Sequence, residues 1–479
     1  MRGRRPPRRC SGNALLTTLL VAQAAPAFAD ECTRPTDPGG ASGYDYGETK
    51  PSSFGNEQVL VWYTTEGAHA VNDKSTRADH VPDDVAAVVA ITSDALDRYV
   101  AMGFRAPVSD SLSPSCGSNG GDARFDVYLV NMRGADGMAV PESGRCTSTN
   151  PKQCASYLVA KSNYAESYDS AELGIRTVLP HETFHAVQNA YDVDLDRFWA
   201  EGSAQWATKT LDPTLTDLER NLPAFFDQSA RSLDAPPSGV TSAFLYGSAV
   251  WPVFLSQRFS DDIVRAVLEQ EAQQGDSALV ATDVVLHAMG SSLADEFPLF
   301  AAWNVATGAR TGTGGYADAA AYPEVHVSEL ASTGSKAITS GLASFYYHAQ
   351  TDEPQRLTLE TDALRNRGLL VPFAAGLPRV DRVTPLPAEL NGEGIVVVSG
   401  ITTSKKDAPF TVSLSAPGSS GTVTESGGCS LSGLSPAPRG PAPYALLLAL
   451  GAALRLSGAR RAWFARGARA ADKSNPSRR

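Results

Sequence analysis

Histidine and cysteine are both scarce in this chain, with seven and six residues among 479. The cysteines include no closely spaced pair, which excludes a cysteine-rich metal cluster, since such clusters rest on short Cys spacings. No apolar run reaches the roughly 20 residues that a helix needs to cross a bilayer. There is no glycine-rich phosphate loop and no internal repeat, so nucleotide-binding and repeat architectures are set aside. Positive charge is the minority sign, at 41 Lys and Arg against 52 Asp and Glu, a net of −11. Residues 1–29 hold five Arg, and residues 455–479 hold eight Lys or Arg against one Asp, so the body between them is more acidic still. Such a surface repels phosphate backbones and excludes nucleic acid as a partner.

What is present begins with the ends. Arg2, Arg4, Arg5, Arg8 and Arg9 precede an apolar stretch from Ala14 to Ala25, and Ala27, Phe28 and Ala29 offer small residues before Asp30. Residues 1–29 therefore read as a secretory signal peptide, and the protein is expected outside the cytoplasm. At the other end, Gly427, Gly428 and Cys429 lead into a Ser/Pro/Gly-rich spacer, an apolar run from Ala442 to Leu454 and an arginine cluster from Arg455 to Arg469. Residues 426–465, followed by a basic tail over 466–479, resemble the tripartite C-terminal sorting segment of exported myxobacterial proteins (Myxo-CTERM type). That resemblance implies transient membrane association, cleavage by a sorting protease near Cys429, and delivery to the cell surface or medium. A simple tail anchor is the plainer alternative. With Cys10 in the leader and Cys429 in the tail, Cys32, Cys116, Cys146 and Cys154 remain, an even number suited to an oxidising compartment. Of three possible pairings, the expectation is Cys146–Cys154 as a local clip and Cys32–Cys116 as a longer tie.

The chemistry-bearing motif is His181-Glu182-Thr183-Phe184-His185. On a helix, residues four apart share a face, so His181 and His185 can hold one metal ion. Glu182 lies between them, where its carboxylate can act as general base on an activated water. The plainer reading is an amphipathic helix with two polar histidines. Asp169 or Ser170 is a candidate N-cap. Pro180 either begins the helix, as a good first-turn residue, or interrupts one already running. A catalytic zinc site takes three protein ligands. Glu201 follows His185 at a spacing that accommodates a turn and a returning helix, and Gly202, Ser203 and Ala204 would let the two helices approach closely. Asp192, Asp194 and Asp196 in the connecting turn are rival ligands, and their alternate spacing also admits Ca2+. Gln188 and Gln205 are candidate outer partners that would fix the histidine tautomers. Tyr246 is the candidate hydrogen-bond donor to a developing oxyanion, against the plainer reading of a core tyrosine.

Taken together, His-Glu-x-x-His-x-x-Gln and Trp199-Ala200-Glu201-Gly202-Ser203-Ala204 resemble the gluzincin metallopeptidases, and most closely a family of secreted metalloproteases of myxobacteria. The resemblance runs from about Gln58 to about Leu268 and includes Val59 to Gly67, Gly120 to Leu129, and Tyr246-Gly247. It implies Zn2+ held by His181, His185 and Glu201, Glu182 as base, a protein or peptide substrate, and an α+β, zincin-like fold. In such a fold an N-terminal mixed sheet precedes the motif helix and a helical C-terminal subdomain follows it.

The chain divides on composition into an extended lead over 30–56, a metallopeptidase domain over 57–312 and a small β-sandwich over 335–418. Strands are expected at 58–65, 126–131 and 155–161, the last as an edge that binds substrate by strand addition. A helix is expected over 82–102, and longer helices over 249–271 and 284–307. Short alternating runs at 342–349, 356–361, 368–373, 394–398 and 410–414 read as the sandwich strands. The leading expectation is a secreted or surface-displayed zinc endopeptidase. The alternatives are a non-catalytic adhesion or binding protein on a peptidase-like scaffold, and a metallohydrolase acting on something other than peptides.

Overall fold

The computed structural model describes residues 33–37, 39–40, 44–112, 118–238 and 243–416. The leader, the C-terminal segment and tail, and the Cys32–Cys116 pairing lie outside the described residues. The fold is α+β. Ser52–Gly55 (β1), Val59–Tyr63 (β2), Phe125–Val130 (β3), Gly137–Thr147 (β4) and Asn150–Lys161 (β5) form one mixed sheet in the order β1-β2-β3-β5-β4. The central strands β2, β3 and β5 pair in parallel, and their near-continuous apolar runs suit strands covered on both faces. Helices Asp83–Ala101 (α1) and Ala171–Asn189 (α2) bury one face of this sheet, with Val88, Leu96, Val178 and Leu179 packed against Val61, Val127 and Leu158. Tyr46, Tyr128, Tyr157 and Val159 cluster on the other face.

Two expectations change in this sheet. Residues 155–161 are not an edge, because β5 lies between β3 and β4. The edge is β4, antiparallel to β5, whose Gly, Pro and Glu content masks its strand character. Nor is the segment before residue 57 a mere lead. β1 forms the opposite edge, Tyr46 donates its hydroxyl to the carbonyls of Trp62 (2.9 Å) and Leu129 (3.1 Å), and Arg34 is fully buried.

A helical layer follows: Arg197–Leu211 (α3), Asp217–Phe226 (α4), Ala243–Gly247 (α5), Val250–Arg258 (α6), Asp262–Gln274 (α7), Ala278–Ala288 (α8) and Leu293–Trp303 (α9). The helix expected over 249–271 is two helices, broken after Arg258. The one expected over 284–307 is interrupted at Gly290, whose φ of 80° is left-handed backbone that glycine adopts without strain. No helix among the described residues is long and apolar enough to cross a membrane.

The C-terminal strands are Ser328–Glu329 (β6), Ser335–Thr339 (β7), Ser344–Thr361 (β8), Asn366–Ala374 (β9), Leu377–Pro378 (β10), Thr384–Pro385 (β11), Ala388–Gly400 (β12) and Ala408–Ser415 (β13). They make one eight-stranded sheet along the path β10-β9-β12-β8-β13-β7, with β11 on β9 and β6 on β8. The strands expected to form a sandwich are hydrogen-bonded into a single sheet, which folds back on itself and brings the rings of Phe345 and Phe410 to 5.4 Å although Phe410 pairs with Thr361 at the far end of β8. Its two halves are joined because the runs read as separate strands at 342–349 and 356–361 belong to one 18-residue strand, β8. β8 pairs with β12 along most of its length and with β13 near its end. One face of the sheet shares the core of the helical layer, placing Tyr346, Leu369, Val371 and Ile395 with Phe297 and Phe300. The other face gathers Tyr347, Leu370, Val396, Phe410 and Val412. A single hydrophobic core therefore spans the boundary expected between 312 and 335.

Candidate metal centre

The motif helix α2 starts well before the motif. Ser170 is its N-cap, accepting from the Leu173 N–H at 3.1 Å. Pro180 therefore lies inside the helix, where it has no N–H to give to the carbonyl four residues back. Its own carbonyl accepts from the buried Tyr99 hydroxyl at 3.0 Å, which ties the middle of α2 to α1. The motif occupies the turns after Pro180, facing α3.

His181 and His185 stack one turn apart, and α3 returns alongside to bring in Glu201. The two Nε2 atoms are 3.0 Å apart, and a Glu201 carboxylate oxygen stands 3.3 Å from one and 3.5 Å from the other. Of the small residues on α3, Ser203 faces α2, its Oγ accepting from Gln188, whereas Gly202 makes room for the turn between α5 and α6: a Cβ there would stand 3.0 Å from the Ser248 hydroxyl oxygen. Both histidines are held from behind by glutamines. The His185 Nδ1 is 2.7 Å from Gln188 Oε1, and the His181 Nδ1 is 3.1 Å from Gln205 Oε1. For Gln188 the orientation is fixed. Its amide nitrogen donates to the Ala200 carbonyl and to Ser203 Oγ, both at 2.9 Å, while Ser203 gives its own proton to the Trp199 carbonyl. Oε1 must therefore accept from His185, which places the proton on Nδ1 and turns the Nε2 lone pair toward His181 and Glu201.

Facing lone pairs beside a carboxylate repel one another unless a cation lies among them. Two imidazole nitrogens and one carboxylate oxygen, all within 4.8 Å of one another, make the donor set that zinc takes. Without metal, a proton takes the place of the cation. Burial opposes charge on His185, yet its hydrogen bond to Glu201 and the nearby carboxylates win and push its pKa up to about 9. Burial likewise opposes ionisation of Glu201, but the two imidazoles hold its carboxyl well below the usual range. Glu182 differs: burial pushes its pKa up, against the pull of His185 and His181. A buried carboxyl with a raised pKa, beside three groups that could hold a metal ion, is a candidate for proton transfer.

The edge strand β4 completes the surroundings of Glu182. A Cβ on Gly137 would lie 2.7 Å from Glu182 Cγ and 2.6 Å from Val178 Cγ1, so only glycine lets β4 pass this close to α2. The backbone of Ala139 in the same strand hydrogen-bonds the Glu182 carboxyl. Tyr246 also comes to the site, its ring 5.7 Å from that of His181. Burial, and then the charges of Glu201 and Glu182, raise its pKa well above the usual value, so the phenol keeps the proton it would donate.

The rival ligands do not form such a group of three. Asp192 accepts the Asp194 N–H at 2.8 Å, Lys152 bridges Asp192 and Asp194, and Asp196 accepts the Ala278 N–H at the start of α8. Among the described residues, His181, His185 and Glu201 are the one group of His, Cys, Asp or Glu with three ligand atoms that close together. Gly137 and Ala139 were not legible in advance, since nothing local to 137–147 announces contact with a helix so much later in the chain. No protein-family model matches the chain, and no curated protein matches it.

Proposed function

We propose that this chain is a zinc-dependent endopeptidase of the gluzincin type, exported from the cell and displayed on or released from its surface. The observation that carries the reading is the convergence of His181, His185 and Glu201 on one point, with the Glu182 carboxyl buried beside them. A zinc ion held there supplies the Lewis acidity that activates water near neutral pH. Glu182 takes the proton of the attacking water and hands it to the leaving amine. Tyr246 gives a hydrogen bond to the oxygen that gains charge. The outer edge of β4 pairs with an extended peptide backbone, which brings the scissile bond next to Glu182.

The test is metal content followed by one substitution. Purified protein is expected to hold one zinc per chain and to cleave a peptide library in a chelator-sensitive way. Glu182→Gln is expected to keep the metal and lose the cleavage. Substantial residual cleavage in that variant removes Glu182 from the base role. A parent protein that takes up no zinc and cleaves nothing leaves a binding scaffold instead. The leader over 1–29 and the sorting segment over 426–465 belong to the same proposal. Terminal sequencing of the protein recovered outside the cell checks both.

A further inference from the structure

The two histidines are anchored in chemically different ways. The Gln188 amide behind His185 ends on neutral acceptors, the Ala200 carbonyl and Ser203 Oγ. The Gln205 amide behind His181 ends on a charge, since its Nε2 donates to the Asp217 carboxylate. Gln205 is buried and Asp217 half-buried. Asp217 is the first residue of α4, reached after the chain has turned back from α3. Asn221 Nδ2 also points at this carboxylate, at 3.5 Å, and donates to the Asp217 carbonyl at 2.9 Å. Arg220 lies farther off, 3.8 Å from the other carboxylate oxygen, and is exposed.

An amide can present either end to an imidazole, and its two ends specify opposite tautomers. An ionised carboxylate removes the choice, because it only accepts. The Gln205 nitrogen must face Asp217, Oε1 must face His181, and the imidazole proton must sit on Nδ1. The Nε2 lone pair then points to the position shared with His185 and Glu201. The charge adds a second effect: it polarises the amide, which makes Oε1 a stronger acceptor and His181 a stronger metal donor.

We propose that Asp217 is a positioning residue of the metal centre, acting through Gln205 to set the tautomer and donor strength of His181. The proposal rests on the metal-site reading above and names a residue outside the motif that tunes it. Asp217 touches neither metal nor substrate.

The experiment is zinc affinity, measured by competition with a chromophoric chelator, alongside the imidazole 15N shifts of the metal-free protein. Asp217→Leu frees the Gln205 amide to turn. It is expected to weaken zinc binding about 10–100-fold and to abolish the single Nδ1–H tautomer at His181. Asp217→Asn keeps an acceptor oxygen without the charge. It is expected to retain the tautomer and to show a smaller loss of affinity. Arg220→Ala removes the surface partner of Asp217 and is expected to leave both readouts unchanged. Unchanged zinc affinity and tautomer in Asp217→Leu overturns the proposal, as does an equal loss in Arg220→Ala. If the parent protein binds no zinc, the metal-site reading fails. The tautomer measurement then decides on Asp217 by itself: an unchanged shift overturns the relay and a lost tautomer supports it.

Discussion

Replacing Arg34 by Met takes the central cation out of a buried cage. The guanidinium donates to both oxygens of Glu142 at 3.0 and 2.7 Å, to Asp110 at 2.9 Å, and to Asp126. All four side chains are at most 7 % exposed. Arg145, 3.4 Å from Glu142, is the other cation in the cage. Methionine keeps the apolar stem, so the substitution isolates the charge and its hydrogen bonds. Removing one partner of a buried ion pair costs about 3–5 kcal/mol, because the charges left behind stay desolvated. That is a factor of roughly 10²–10⁴ in the unfolding equilibrium, out of a total stability of about 5–15 kcal/mol. Urea denaturation followed by tryptophan fluorescence reads it. Arg77→Met is the control, since Arg77 pairs with Asp79 at a site where both are well exposed, and it is expected to cost far less because solvent screens the pair. The deficit of the Arg34 variant also has a defined pH dependence. Burial already holds Asp126 up to about 7 against the pull of Arg34. Without Arg34, the Asp126 pKa of the folded state rises further above its unfolded value. An acid raised in this way favours folding below its unfolded pKa and loses that contribution as pH rises, so the deficit should grow from pH 5 to pH 8. A loss no larger than that of Arg77→Met, or one independent of pH, refutes the reasoning.

Three further outcomes are expected. Glu271 is buried among Asp196, Asp192 and Asp276, and burial first, then those charges, push its pKa up to about 9. It favours folding below about pH 4.5 and loses that contribution toward pH 9. Glu271→Gln should therefore stabilise the protein at pH 8 by at most about 5 kcal/mol and do almost nothing at pH 4, and equal denaturation midpoints at pH 8 would disprove this. Gly137→Ala puts a methyl group against Glu182 and Val178, which should cost about 1–3 kcal/mol. It should lower hydrolysis more than zinc content, and activity at the parent level would show that β4 does not position Glu182. The Cys146–Cys154 disulfide closes a short loop with a sequence separation of 8. Replacing both cysteines by Ser should cost about 2.5 kcal/mol by loop entropy, checked by thermal unfolding, and no change would mean that the β4–β5 hairpin is already ordered without it.

The sequence by itself determined the parts of this protein that depend on short-range periodicity. His181 and His185 share a face because a helix turns about every 3.6 residues. Glu201 returns because the stretch after His185 is long enough for a tight link between two helices and no longer. The β2 and β3 runs, α1 and the local disulfide were legible for the same reason. Tertiary structure alone decided what depends on residues meeting across the chain. Arg34 finds Glu142 across 108 positions, a contact that no spacing announces. The edge passes from β5 to β4 because strand order is set by pairing, not by the composition of one segment. The two runs of the C-terminal sheet become one long strand because β12 and β13 each supply a partner for part of it. Asp217 reaches His181 through an amide on another helix, and that depends on how α4 packs after α3. The motif could name the atoms that could hold a metal. Only the packing around it could say which way those atoms point, because tautomer and orientation are fixed by neighbours brought together when the chain folds.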